Sequence, residues 1–161
     1  MSDVLRLTIP GEPVAQGRPR FRRFATFVST YDPPKSRKWK QAAARAMQNA
    51  VGETAGTMPA FPEGALELTV VAVFACPKSD ERKRTPAPAR WKASTPDAEN
   101  VAKAVQDAGK GILWTDDAQV ARLVVDKVFA AQGDEPRVVL EVRQLVAEFV
   151  PLVARLVGVG A

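Results

Sequence analysis

The sequence predicts one α+β (or α/β) domain: a small mixed β-sheet of about four to five strands packed with two to three helices. Three observations predict it. The 161 residues suit a single domain with a single core. One run, LELTVVAVFA from Leu66 to Ala75, is apolar and β-branched almost throughout, the pattern of a central strand covered on both faces. Around it, segments of period-2 alternation are interleaved with two segments of helical periodicity.

Val4 to Ile9 alternates as a first strand and stops at PGEP, where Pro10 and Gly11 force a turn. A basic loop, GRPRFRRF, and a short β-prone FATFVST follow. From Ser36 to about Val51, Trp39, Ala42, Ala43, Ala46 and Met47 recur at helical spacing, entered through Pro33-Pro34, with Lys38, Lys40 and Arg45 on the other face. Residues 52 to 64 are a Gly- and Pro-bearing loop. The polar connection after the central strand, PKSDERKRTPAPARWKAS, is long enough to predict a mobile functional loop, the least ordered part of the chain.

In STPDAENVAKAVQDAGKG, Thr95 is the expected N-cap and Pro96 the first helical residue, with Gly109 and Gly111 ending the helix. ILWTDDAQ reads as a short strand entering a turn, and VARLVVDKVFA as a further strand. GDE then forms a hairpin turn into PRVVLEVR, where Val138, Leu140 and Val142 alternate with Arg137, Glu141 and Arg143. The apolar tail LVAEFVPLVARLVGVGA, interrupted by Glu148, Pro151 and Arg155, reads as a packing or partner helix. Trp39, Trp91 and Trp114 are expected in the core or an interface.

Composition narrows the chemistry. The chain has no histidine, which excludes Ser-His-Asp and Cys-His catalysis and any zinc site containing histidine. Its one cysteine, Cys76, excludes internal disulfides and thiolate clusters. MSDVLRLTIPGEP lacks the features of a signal peptide and no apolar run reaches membrane-spanning length, so a cytoplasmic protein is expected. The net charge of +5 is concentrated at one end: residues 1 to 50 hold ten Lys/Arg against three acids. Such asymmetry suits a polyanionic partner, since each Lys or Arg set on a phosphate releases counterions, although a solvated basic surface has the same composition.

On the second helix, Glu99, Asn100, Lys103 and Asp107 fall within an arc of about 80° at 100° per residue. Ala98, Val101, Ala102, Ala104, Val105 and Ala108 take the opposite side. Taken alone, this is a solvated face with Glu99–Lys103 and Lys103–Asp107 pairs at i,i+4. Asp116 and Asp117 change the balance, because adjacent like charges gain from a cation. With Asp97 and Glu99 they make four carboxylates joined by a helix and a strand that would fold them together. Oxygen-only ligation of this kind suits Mg²⁺, with Mn²⁺ as the alternative, and a basic partner surface points to metal-assisted attack on a phosphodiester.

IPGEPVAQGRPRF, STYDPPKSRKW, PDAENVAKAVQDA and WTDDAQVARLVVDK stand in the order typical of the RusA family of Holliday junction resolvases, and the sequence resembles that family over about residues 5 to 143. The resemblance implies a RusA-like nuclease domain at 1–143; the tail at 144–161, expected to be helical and of unknown role, lies outside it. It implies a Mg²⁺-dependent, homodimeric, bacterial or phage-encoded endonuclease that resolves four-way DNA junctions by paired cuts. Asp97, Glu99 and Asp117 look like the acidic metal ligands, Lys103 like the catalytic lysine and Asp116 like an accessory carboxylate. Arg18 and Arg20 would contact DNA, with Lys127 in support; Arg22 and Arg23 extend the basic run, and Phe21 and Phe24 would stack on bases or sit in the core. Branched DNA and a second copy are the expected partners, with no membrane and no nucleotide cofactor. The rivals are a nuclease of flaps, forks or D-loops, a non-cleaving branch-binding protein, and a metal protein acting on small phosphates. Glu99 stands where the family usually has Asp, which moves the carboxylate by a methylene. Gly109 replaces a usual apolar residue, and the stretch to Asp116 is one residue short.

Overall fold

The computed structural model describes residues 4–17, 20–23, 28–52 and 58–145. The strands are β1 (Val4–Pro10), β2 (Arg20–Arg23), β3 (Val28–Tyr31), β4 (Leu66–Phe74), β5 (Arg90–Trp91), β6 (Val120–Phe129) and β7 (Arg137–Gln144). The helices are α1 (Pro34–Val51) and α2 (Ala98–Gly109). Five strands form one mixed sheet in the order β1-β7-β4-β6-β5, and β2 pairs with β3 in a separate antiparallel ribbon. The expected class, sheet size and helix pair are therefore observed.

β4 is the middle strand, as its continuous apolar run implies. It pairs parallel with β6 and antiparallel with β7. Its Leu66, Leu68, Val70, Ala72 and Phe74 join Leu7 and Ile9 of β1 and Val138, Leu140 and Val142 of β7 in one buried layer. The two helices close that layer with Trp39, Ala43 and Met47 of α1 and Val101, Ala104, Val105 and Ala108 of α2. Each large apolar side chain removed from water here stabilises the fold by roughly 1.5–3 kcal/mol.

Four local expectations are revised. GDE does turn the chain, with Gly133 at φ +96°, but β6 and β7 do not pair with each other because β4 lies between them. Part of the expected basic loop is the strand β2. The connection from Pro77 to Ser94 is not structureless, since it holds a 3-10 turn at Lys78–Asp80 and the edge strand β5. The Gln132 side chain ties it down, accepting from the amides of Arg82 (2.8 Å) and Ala87 (3.2 Å) and donating to the Arg82 carbonyl. ILW is no strand of the sheet: Trp114 makes isolated bridges to Phe61 and Lys110, and the chain enters a 3-10 turn at Asp117–Gln119. The tail at 146–161 lies outside the described residues.

Gly109 explains one departure from the family pattern. A Cβ there would lie 2.7 Å from Cη2 and 2.8 Å from Cζ2 of the fully buried Trp114. Gly109→Ala should therefore lower the unfolding free energy by about 1–3 kcal/mol in a denaturant titration followed by tryptophan fluorescence; an unchanged midpoint would show that Trp114 can move aside.

Candidate nuclease site

α2 carries the central residues. Its alanines and valines turn Val101, Ala102, Ala104, Val105 and Ala108 inward, leaving Glu99, Lys103 and Asp107 exposed. The helix begins later than the sequence suggested. Asp97, in extended conformation, is the N-cap, and Thr95 and Pro96 precede it. The Asp97 side chain caps no amide and accepts only a long 3.5 Å bond from Asn100 Nδ2.

Two contacts fix this end of the helix. The Gln16 amide donates to the Asn100 carbonyl at 2.7 Å. Lys127 donates to the carbonyls of Ser94 (2.8 Å) and Pro96 (2.5 Å), so its ammonium, expected at the DNA, is turned inward and positions the segment before Asp97. Lys92 lies beside it, 4.6 Å from the Phe129 ring centroid and donating to Ser94 Oγ at 2.8 Å. Burial first, and then the charges of Lys127 and Arg90, push the Lys92 pKa down.

The expected Glu99–Lys103 and Lys103–Asp107 pairs are not formed. Glu99 and Lys103 have no side-chain partner among the described residues, and Asp107 instead accepts from Lys40 at 3.0 Å. Lys40 also pairs with Asp32, which accepts from Gln16 Nε2 at 2.9 Å. This group of four was not anticipated from the sequence, although Gln16, Asp32 and Asp107 stand within IPGEPVAQGRPRF, STYDPPKSRKW and PDAENVAKAVQDA. It joins both stems of the β2–β3 ribbon to α1 and α2. The ribbon's backbone carries Arg20, Arg22 and Arg23 with Phe21, while Arg18 and Phe24 lie outside the described residues.

Asp116 and Asp117 stand beyond the other end of α2. Asp116 caps the 3-10 turn, accepting from the Ala118 amide at 2.9 Å, and is bridged by Lys110 at 2.8 Å. That ammonium, then the Ala118 amide, holds its pKa below the ordinary carboxylate value. Asp117 accepts from Trp114 Nε1 at 2.9 Å. Gln119, a further residue the sequence reading passed over, braces the turn by accepting from the amides of Thr115 and Asp116 and donating to the carbonyls of Phe61 and Gly64.

The helix keeps the two acidic pairs apart. Its 12 residues rise about 18 Å in total, and the Trp114 ring that holds Asp117 lies against Gly109 at the far end. Among the described residues, no three carboxylates come together as a metal-binding group within one chain. The oxygen donors are of the right chemistry for a hard divalent ion, but a single chain does not assemble them. A cavity of about 440 Å³ lies under the connection after β4, lined by Cys76, Asp80, Arg82, Arg90 and Phe129, and contains none of these acids.

The family model "Endodeoxyribonuclease RusA" matches residues 10–143, from the end of β1 to the end of the sheet. This chain belongs to the RusA family. It is thus an endodeoxyribonuclease, a hydrolase of DNA phosphodiester bonds, in a family of Holliday junction resolvases that act on branched DNA and generally need divalent metal ions. It is also 34% identical over 150 residues to the "Uncharacterized protein YqaN" of Bacillus subtilis (strain 168), across 90% of this chain and 99% of that protein. No helix among the described residues is long and apolar enough to cross a membrane.

The Lys40 group has a pH signature. The hydrogen bond from Lys40 holds the Asp32 pKa below its ordinary 3.8. Burial opposes charge on Lys40, but the bonds to Asp32 and Asp107 outweigh it and raise its pKa above 10.5. A lowered acid stabilises the fold above its unfolded pKa and loses that contribution as pH falls through the folded value; a raised lysine loses its contribution as pH climbs through its own. Asp32→Asn should therefore be less stable than wild type at pH 7, by roughly 1 kcal/mol or less after screening. The difference should close below pH 3.8 in thermal melts run across pH, and a constant difference would assign Asp32 a role independent of its charge.

Proposed function

We propose that this RusA-family chain is a Mg²⁺-dependent, structure-selective endonuclease that resolves four-way DNA junctions by paired, symmetric cuts as a homodimer, in DNA recombination and repair. The observation that carries the reading is the exposed ridge of α2. Glu99 and Lys103 project from it and Asp97 stands at its N-cap, all with no ion-pair partner among the described residues, while the neighbouring Asp107 and Asp116 are neutralised by Lys40 and Lys110. Charges left uncompensated beside a helix N-terminus suit a site completed by ligands.

In this reading Asp97, Glu99, Asp116 and Asp117 hold the metal, which when bound lowers the pKa of water and offsets charge on the phosphate. Lys103 lies six residues along α2 from Asp97, about 9 Å, which leaves room for a phosphodiester between them. There it donates to a non-bridging oxygen and offsets the charge that builds up during attack. Arg18, Arg20, Arg22 and Arg23 grip the flanking phosphates, and the Gln16–Asp32–Lys40–Asp107 group keeps their ribbon in register with α2. A homodimer suits a substrate with two equivalent scissile phosphates. It also suits acids divided between the ends of α2, since two copies set head to tail bring the first pair of one against the second pair of the other.

Incubation with a labelled four-way junction, a linear duplex, a flap and a fork should give symmetric nicks in the junction with Mg²⁺ or Mn²⁺ and none with EDTA. Asp97→Asn and Asp117→Asn should abolish the nicks, and Lys103→Ala should bind junctions normally while losing cleavage by about 10²-fold or more. Equal loss of binding and cutting would remove Lys103 from the chemistry, and preferred cutting of flaps or forks would change the substrate. Arg18→Ala should weaken binding across sequences and reduce the salt slope by about one; an unaltered slope would take Arg18 off the phosphates.

A further inference from the structure

Gln16 divides its hydrogen bonds among three parts of the fold. It is half-buried and stands shortly before β2, and its Nε2 donates at 2.9 Å to Oδ1 of Asp32, which directly follows β3. Its Oε1 accepts from Ser36 Oγ at 3.4 Å, in the first turn of α1. Its main-chain N–H donates at 2.7 Å to the carbonyl of Asn100, in the first turn of α2.

Backbone packing holds this residue in place. A Cβ on Gly17 would lie 2.7 Å from Cγ of Pro33, so the glycine is what lets the segment entering the ribbon lie against the segment leaving it. Ser36 is only 2% exposed, and a hydroxyl so buried needs the acceptor that Gln16 supplies. Lys40, one turn further along α1, closes the other side of the frame through Asp32 and Asp107.

Asn100 extends the line to the acids. Its carbonyl is held by Gln16, its Nδ2 reaches Asp97 Oδ2 at 3.5 Å, and Glu99 precedes it in the chain. The route from the ribbon to Asp97 therefore runs through two residues. Lys127 and Lys92 fix the same turn from the side of the sheet, whereas Gln16 fixes it from the side of the ribbon.

We propose that Gln16 is a positioning residue that sets which phosphate is cut. The inference rests on the reading above, in which the ribbon arginines grip phosphates while Asp97 and Glu99 act on another. The spacing between gripped and cut phosphate is then the spacing between the ribbon and the first turn of α2, and Gln16 spans it. Successive phosphates of one strand are about 3.4 Å apart along a duplex axis. A slack of half that distance makes two neighbours equally reachable.

The experiment reads the positions of the nicks, on end-labelled junctions, flaps and forks with Mg²⁺, resolved to single nucleotides. Gln16→Ala should bind its branched substrate within about twofold of wild type, cut roughly 10- to 10²-fold more slowly and spread its nicks over neighbouring phosphates. Gln16→Glu should do the same by setting a second carboxylate against Asp32. Adding Asp32→Asn to it should restore rate and sharpness, because the bond returns with donor and acceptor exchanged and the total charge unchanged. Slow cutting by Gln16→Ala at the wild-type phosphate alone would reduce Gln16 to a stabilising contact and overturn the proposal. Sharp cutting at the full rate would overturn it too, as would a double exchange no sharper than Gln16→Glu. A wild-type chain that nicks flaps or forks and leaves junctions whole would overturn the resolvase reading alone, and scattered nicks from Gln16→Ala on those substrates would still support the proposal.

Discussion

The architecture follows from β4, a strand that takes a partner on each edge and buries Leu66, Leu68, Val70, Ala72 and Phe74 under the two helices. It takes β6 on one side and β7 on the other, and the parallel pairing with β6 has a topological cost. A parallel neighbour cannot be reached by a tight turn, so the chain must cross the sheet, and α2 is the element that crosses. Its apolar face is consumed by the sheet, and the face left over is the one bearing Glu99 and Lys103. The site is thus placed by the packing of the crossover.

Charge is distributed in two ways over this frame. Some ions hold elements together: Lys40 between Asp32 and Asp107, Lys127 on the carbonyls before α2, Lys110 on Asp116. Others, on the exposed ridge of α2, meet no partner among the described residues. Lys127 shows how one residue type divides between these tasks: on β6 it sits opposite Ala72, and its stem reaches the turn before Asp97 instead of solvent.

How legible this was depended on the range of the forces involved. The helical stripe of α2 and the alternation of β7 are local, and both were readable down to the buried residues. The hairpin expected at GDE failed because strand partners are chosen by burial, and β4, some 60 residues earlier in the chain, offered β7 a better surface than β6 did. Thr95 lost the N-cap position to Asp97 once Lys127 had claimed the carbonyls of Ser94 and Pro96, a contact between residues about 30 apart in sequence. The four acids were recognisable as a set, but no local rule tells that a helix will hold them at its two ends. Trp91 departs from the core position open to all three tryptophans: Trp39 and Trp114 are buried, whereas Trp91 is 69% exposed on the edge strand.

The pairing of β1 with β7 has a consequence for biosynthesis. Val4 to Pro10 are made before the other strands, yet their sheet partner among the described residues is Arg137 to Arg143, in the strand made after all the others. β4 likewise waits for both of its neighbours. The sheet cannot be completed before β7 is made, and until then the nascent chain holds the valine-rich edges of β1 and β4 open, the interval in which a β-rich chain is most exposed to mispairing. The helix that carries Glu99 and Lys103 therefore has its full sheet beneath it only after β7 has joined β1 to β4.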